Sequence, residues 1–153
     1  MNYSKAPCFI ADETLGKLVR YLRMSGFDCK YLHSKSSNLI LSAIEENRVL
    51  LTRKRQLLDE SQKWSGLVCF DPASDHVKEQ LFNVMNAFNL DIYPMNCARC
   101  PRCNHLLEKT NADSISADIP DYILKKHSVF LKCTHCNNIY WAGSHVERFY
   151  DDQ

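Results

Sequence analysis

Two closely spaced pairs of cysteines constrain this sequence more than any other feature. Cys100 and Cys103 form one pair, and Cys133 and Cys136 form the second after twenty-nine intervening residues. Two thiolates on one tight turn reach the same ion, and two such turns complete a tetrahedral site. Four thiolates leave no open coordination position, so the spacing predicts a structural zinc ion bound by all four cysteines.

The other cysteines leave one question open. Cys97 precedes the first pair by three residues, so Cys97 with Cys100 has the same spacing as Cys100 with Cys103. We prefer the second register because asparagine follows both Cys103 and Cys136, at a position that often needs the left-handed backbone that asparagine tolerates. The remaining three lie in apolar runs and are predicted core residues: Cys8, Cys29 and Cys69.

Upstream of the cysteine-rich segment, short apolar runs alternate about four times with helical patterns. Between Leu15 and Leu22, for example, apolar residues recur at the spacing of one helix face. Short buried strands that alternate with helices predict a parallel sheet flanked by helices, an α/β fold. We predict this α/β domain at residues 1–95, a small four-cysteine zinc ribbon at 96–148 and a tail at 149–153.

The carboxyl ends of the predicted strands carry the residues best suited to chemistry. Ligands of parallel α/β sheets bind outside those ends. Asp12 follows the first strand, the turn Thr52-Arg53-Lys54 follows the third, and Asp71 follows the fourth. Asp12 has a second interpretation, since aspartate at this position is also a good cap for the helix that follows.

Positive charge is concentrated in one part of the α/β domain, although the net charge of the chain is only +1. Residues 17–55 hold nine basic and three acidic side chains, a local excess of six positive charges. Such a surface attracts a polyanion, but a solvated face of ordinary helices explains it equally well. Arg20 and Arg23, one turn apart, either line a cleft or form surface pairs with Glu13 or Asp28.

Neither export nor membrane insertion is indicated by the sequence. The first seven residues are polar and precede no long apolar run, unlike a signal peptide. No stretch approaches the ~18 apolar residues of a membrane span. Because pairs of cysteines two residues apart are typical of reduced thiols that bind a metal, we expect a soluble, cytoplasmic protein without a membrane partner.

Several motifs, taken in order along residues 8–146, resemble the Mut-seven C-terminal ribonuclease domain family, a PIN-like nuclease fold followed by a zinc ribbon. No single motif is decisive, but the combination is specific. The matching stretches are Phe9–Asp12, Leu15–Asp28, Arg48–Arg53, Glu79–Leu81, Arg99–Asn104, Cys133–Cys136 and Tyr140–His145.

The resemblance implies metal-dependent hydrolysis of RNA. PIN-like nucleases gather three or four carboxylates at the carboxyl edge of the sheet around Mg²⁺ or Mn²⁺, which activates water and stabilises the leaving oxygen. On this resemblance Asp12 and Asp71, or Asp75 in place of Asp71, are the expected metal ligands. The expected contacts to RNA phosphates are Arg20, Arg23, Arg53 and Lys54.

Two acids that the family pattern leads us to expect are missing. Ser36 or Ser37 stands near the start of the second helix, and Lys54 stands where the family usually has an aspartate. An ammonium beside a metal site repels the ion. Three interpretations stay open: a ribonuclease with a reduced site at Asp12 and Asp71, a catalytically degenerate RNA-binding module in which Lys54 contacts phosphate, and a protein-binding adaptor that docks through its ribbon. The sequence also leaves open whether the chain forms a homodimer.

Overall fold

The computed structural model describes residues 6–33, 36–91, 98–115 and 118–141. The chain divides into two compact units, residues 1–104 and 105–153. The domain boundary predicted near residue 95 and the predicted tail at 149–153 lie outside the described residues. Of the helices described, none combines the length and the hydropathy that crossing a membrane requires.

The first unit contains a parallel sheet flanked by helices, as predicted. All strand pairs of this sheet are parallel. A 3-10 turn, Glu13–Leu15, connects the first strand to the first helix. The strands are β1 (Phe9–Ala11), β2 (Cys29–Tyr31), β3 (Val49–Leu51) and β4 (Cys69–Phe70), and their order across the sheet is β2-β1-β3-β4. The helices are α1 (Gly16–Met24), α2 (Ser36–Glu45), α3 (Arg55–Ser61) and α4 (Val77–Ala87).

The two central strands are the centre of the core. Every residue of β1 and β3 is at most 8% exposed. Uninterrupted apolar strands of this kind are typical of parallel sheets that are covered on both faces. Ile10 and Leu50 pack with Leu57 of α3 and with three apolar residues of α2, namely Leu39, Ile40 and Ala43. The ring of Phe9 makes edge-to-face contacts with Phe27 and Phe88.

The register of the sheet brings the predicted site residues to one edge. The last residues of β1, β3 and β4 are aligned across the sheet. Asp12, Thr52 and Asp71, which follow these strands directly, therefore come at the same level of the carboxyl edge. The order of the strands along the chain reverses between β1 and β3, and ligands of open α/β sheets bind at this switch point.

The second unit contains a three-stranded antiparallel sheet. Few large apolar side chains are buried in its described part: Leu107, Ile115, Phe130 and Leu131. Such a small core gives little hydrophobic stabilisation by itself. The elements are β5 (Leu107–Thr110), a 3-10 turn (Ala112–Ile115), α5 (Asp121–Lys126), β6 (Phe130–Cys133) and β7 (Ile139–Trp141). The order of the strands across the sheet is β5-β6-β7.

Candidate functional site

Asp12 is fully buried and acts as a helix cap. One carboxylate oxygen accepts hydrogen bonds from the Thr14 amide at 2.7 Å and from the Thr14 hydroxyl at 2.5 Å. The other oxygen accepts a hydrogen bond from the hydroxyl of Thr52, across the switch point on the adjacent strand end. These contacts confirm the capping interpretation of Asp12. Its role as a metal ligand stays a prediction, since both of its oxygens already have protein donors.

An ion pair between Lys54 and Glu13 occupies the edge of the sheet beside Asp12. The ammonium of Lys54 donates to one carboxylate oxygen of Glu13. The second oxygen of Glu13 is buried, and among the described residues it has no hydrogen-bond partner. The hydrogen bond from Lys54 lowers the pKa of Glu13, and the same bond, with the nearby charge of Asp12, raises the pKa of Lys54. Both groups are therefore charged at neutral pH, and Lys54 supplies the positive charge at this edge.

The other predicted residues on this edge are engaged with the loop that precedes α4. The Arg53 guanidinium lies 2.8 Å from a carboxylate oxygen of Asp75, which is 87% exposed. Asp71 is exposed and accepts a hydrogen bond from the Ala73 amide at 2.8 Å. Ala73 and Ser74 both have positive φ angles, 51° and 56°, which are unusual for residues other than glycine. Such backbone strain is often found beside binding sites.

The acids of the edge do not converge on one point. Within the described ranges, the four cysteines of the two pairs are the only group of three or more His, Cys, Asp or Glu residues that is arranged to hold a metal ion. Asp12, Glu13 and Asp71 therefore do not form a group of that kind. The side chain of Ser36, at the start of α2, lies outside the described residues.

Arg20 and Arg23 have different environments although they lie one turn apart on α1. Arg20 is exposed and lines a groove together with Arg53. Arg23 is only 7% exposed, and it donates to the carbonyl of Cys29 at 2.8 Å and to that of Pro101 at 2.8 Å. Burial lowers the pKa of Arg23, and the charges of nearby cysteines and Asp28 oppose this effect. Because these donors are already engaged with backbone carbonyls of the chain, the structure does not favour Arg23 as a phosphate contact.

The first cysteine turn is attached to the α/β sheet of its own unit. Asn104 donates to a carboxylate oxygen of Asp28 at 2.9 Å and accepts from the Cys29 amide at 3.2 Å. Arg48 also donates to Asp28, at 2.6 Å. Burial opposes ionisation of Asp28, but the hydrogen bonds from Arg48 and Asn104 outweigh it and hold the pKa of this carboxyl below its usual value. Sequence reasoning missed this network, because its members are far apart along the chain.

The four predicted zinc ligands come together. The sulfur atoms of Cys100, Cys103, Cys133 and Cys136 all lie within 4.8 Å of one another. Thiolates around one zinc ion at ~2.3 Å are about 3.8 Å apart, so the cluster fits a tetrahedral metal site. The preferred register therefore agrees with the structure, and Cys97 lies outside the described residues.

Both cysteine turns have the predicted backbone. Asn104 and Asn137 have φ angles of 69° and 58°, in the left-handed region. Each donates its backbone N–H to the carbonyl of the first cysteine of its own pair, at 2.9 and 2.8 Å. The Asn138 side chain also donates to the sulfur of Cys136 at 3.1 Å, a contact that favours a thiolate ligand. Cys29 differs, since burial raises the pKa of its thiol to about 12, and it is a core residue as predicted.

Comparison with known proteins adds one finding to this geometry. The family model described as the Mut7-C RNAse domain matches residues 7–152, nearly the whole chain. No curated protein and no solved structure matches the chain significantly. The match indicates a nuclease-like, RNA-related function, in agreement with the resemblance of the motifs. The chain belongs to the Mut7-C RNAse domain family.

Proposed function

We propose that this protein binds RNA through its phosphates at the carboxyl edge of the parallel sheet, and that Lys54 takes the place of a catalytic metal ion there. The observation that carries the proposal is the ion pair between Lys54 and Glu13 beside the buried carboxylate of Asp12. In an acid-rich nuclease site these carboxylates would face a divalent cation. Here a cation of the chain itself balances them.

Electrostatics supports the choice of RNA binding over hydrolysis. At ~4 Å and an effective dielectric constant of about 20, an ammonium repels each unit of positive charge by about 4 kcal/mol. A divalent ion would have to displace Lys54 from Glu13 and compete with three donors for the oxygens of Asp12. Arg53 and Arg20, by contrast, are exposed near this edge and suit phosphate oxygens.

Metal-dependent hydrolysis of RNA is the second candidate. Two observations favour it: membership of an RNAse domain family, and the register that puts Asp12 and Asp71 at the same level of the edge. In this candidate the two aspartates hold Mg²⁺ or Mn²⁺, and Arg53 and Lys54 contact the phosphate. Lys54 would then leave Glu13 when the metal binds.

We further propose that the metal of the four-cysteine cluster is zinc and that it is structural. Four sulfur ligands are typical of structural zinc, and this arrangement leaves no position for a substrate or a water molecule. The hydrogen bond from Asn138 to Cys136 supports this proposal, because outer donors of this kind stabilise ligating thiolates.

One set of measurements separates the candidates. Labelled single-stranded RNA is incubated with zinc-loaded protein and Mn²⁺, and binding is titrated with salt in parallel. The parent is compared with Asp12→Asn, Asp71→Asn and Lys54→Asp. We expect salt-sensitive binding by the parent without cleavage, and Mn²⁺-dependent cleavage by Lys54→Asp, which restores an acid at the edge.

Other outcomes contradict the proposal in different ways. Cleavage by the parent that disappears in Asp71→Asn establishes the hydrolysis candidate. Asp71→Asn is the safer variant because Asp71 is exposed, whereas Asp12 is buried and caps a turn. Failure of the parent to bind RNA at low salt removes both candidates and favours an adaptor. Circular dichroism of each variant shows whether the fold is retained.

A further inference from the structure

An open groove of about 940 Å³ lies between the start of α1 and the segment that leads into α4. Its lining combines cations of α1 and of the loop after β3 with polar side chains at the start of α4 and just before it: Lys17, Arg20, Arg53, His76 and Gln80. Gln80 is 7% exposed and fixes the wall of the groove by donating to the Ser74 carbonyl at 2.9 Å. The groove is therefore a formed feature of the first unit.

The acids that line the groove already have partners. Glu13 pairs with Lys54, Asp75 pairs with Arg53, and Glu79 accepts a hydrogen bond from the Ser74 hydroxyl at 2.5 Å. Lys17 and Arg20 are both exposed, and neither has an acidic partner in the part of the chain that the structure describes. The uncompensated positive charge of the groove therefore includes these two residues of α1.

Helix stability does not explain the presence of Lys17. It is the second residue of α1, at the positive end of the helix macrodipole, and the first turn of this helix contains no acid. A lysine at that position is electrostatically unfavourable for the helix. Lys17 and Arg20 are three residues apart, a spacing at which side chains lie on the same helix face.

We propose that Lys17 is a phosphate contact of the bound RNA, acting with Arg20, and that the RNA backbone leaves the sheet edge along this groove. The inference rests on the proposed function and identifies which cations of the domain hold the strand. Arg53 is occupied by Asp75, and Lys54 by Glu13, whereas the two cations of α1 can meet phosphate without first breaking an ion pair. A groove of this size fits a few nucleotides of a single strand.

The test compares Lys17→Gln with Lys63→Gln, a matched control that removes an exposed lysine outside the groove lining. Binding of fluorescently labelled single-stranded RNA by zinc-loaded protein is measured over a range of salt concentrations. Each phosphate contact contributes about 0.7 to the slope of log K against log salt for a single strand. We expect Lys17→Gln to lower the slope by about 0.7 and the low-salt affinity by about three- to tenfold.

The control variant should retain the parent's slope and affinity, and Lys17→Gln should unfold at the same temperature as the parent or slightly higher. If the parent binds RNA and Lys17→Gln behaves like Lys63→Gln, the inference is wrong while the proposed function stands. If the parent shows no salt-sensitive binding, the proposed function fails and the inference fails with it. A Lys17→Glu variant, which reverses the charge, should weaken binding more than Lys17→Gln.

Discussion

Replacing Arg23 by methionine is the most direct test of how this fold uses its basic residues. Methionine retains much of the length and apolar stem of arginine but has no donors. The substitution removes the two short bonds from Arg23 to the carbonyls of Cys29 and Pro101, each 2.8 Å long, and a longer bond of 3.2 Å to the carbonyl of Arg102. It leaves these acceptors without their donor in a region where Arg23 itself is only 7% exposed.

The expected loss follows from these contacts. A hydrogen bond from a charged donor contributes roughly 1.5–3 kcal/mol, so two such bonds give about 3–6 kcal/mol. Part of this is offset because methionine removes a guanidinium whose burial is unfavourable, as its lowered pKa indicates. We therefore expect Arg23→Met to reduce the free energy of unfolding by about 2–4 kcal/mol.

Urea unfolding followed by circular dichroism measures this change, and Arg20→Met is the matched control. Arg20 lies on the same helix but is exposed, so its substitution should change the stability by less than about 0.5 kcal/mol. RNA binding should show the opposite pattern, with a loss in Arg20→Met and none in folded Arg23→Met. Equal stability of the two variants, or a reduced salt slope in folded Arg23→Met, would refute the reasoning and restore Arg23 as a phosphate contact.

Three further predictions concern the cluster, the Asp28 network and the groove. Chelation is expected to release one zinc ion per chain, which native mass spectrometry counts. It should also abolish slow amide exchange in β5–β7, since this small sheet has little core of its own. Slow exchange that persists after complete release of the metal would contradict this prediction. The ionised carboxylate of Asp28 stabilises the folded parent fully at pH values above the ordinary carboxyl pKa of ~3.9. This stabilisation is lost as the pH falls through the lower pKa of Asp28 in the folded state, and the Asp28→Asn variant should lack it at every pH. Urea unfolding between about pH 2 and pH 7 measures it, and parallel stability curves of parent and variant would argue against the assigned hydrogen bonds. Asp75→Asn should release Arg53 and tighten RNA binding up to about fivefold, because an exposed ion pair contributes only ~0–1 kcal/mol. If Asp75→Asn tightens binding equally in an Arg53→Gln background, the ion pair is not the cause.

The main features of the fold could be predicted from local patterns. The alternation of apolar runs with helical periodicity gave a parallel sheet, since buried strands and amphipathic helices are set by short-range spacing. The two cysteine pairs predicted a common site because the ligands are fixed by spacing within each tight turn. Asn104 and Asn137 were predicted to be left-handed for the same local reason, and their φ angles confirm it.

The roles of individual charged residues were decided by tertiary contacts. Arg23 lies at the flank of the apolar face of α1, and it contacts both Cys29 of β2 and Pro101, which is 78 residues further along the chain. Successive side chains of a strand point to opposite faces, so a longer β1 would separate Glu13 from Asp12. Instead β1 ends at Ala11, and the 3-10 turn directs Glu13 to Lys54. No spacing rule relates residues 41 positions apart.

The sequence by itself therefore determined the α/β order, the cysteine cluster and the shortage of acids at the sheet edge. Each of these depends on residue type and short-range spacing, which can be read along the chain. The tertiary structure alone decided which cations are buried, which are paired and which still face solvent beside the groove. A salt bridge or a buried guanidinium depends on where distant segments meet, and the folded core fixes those positions.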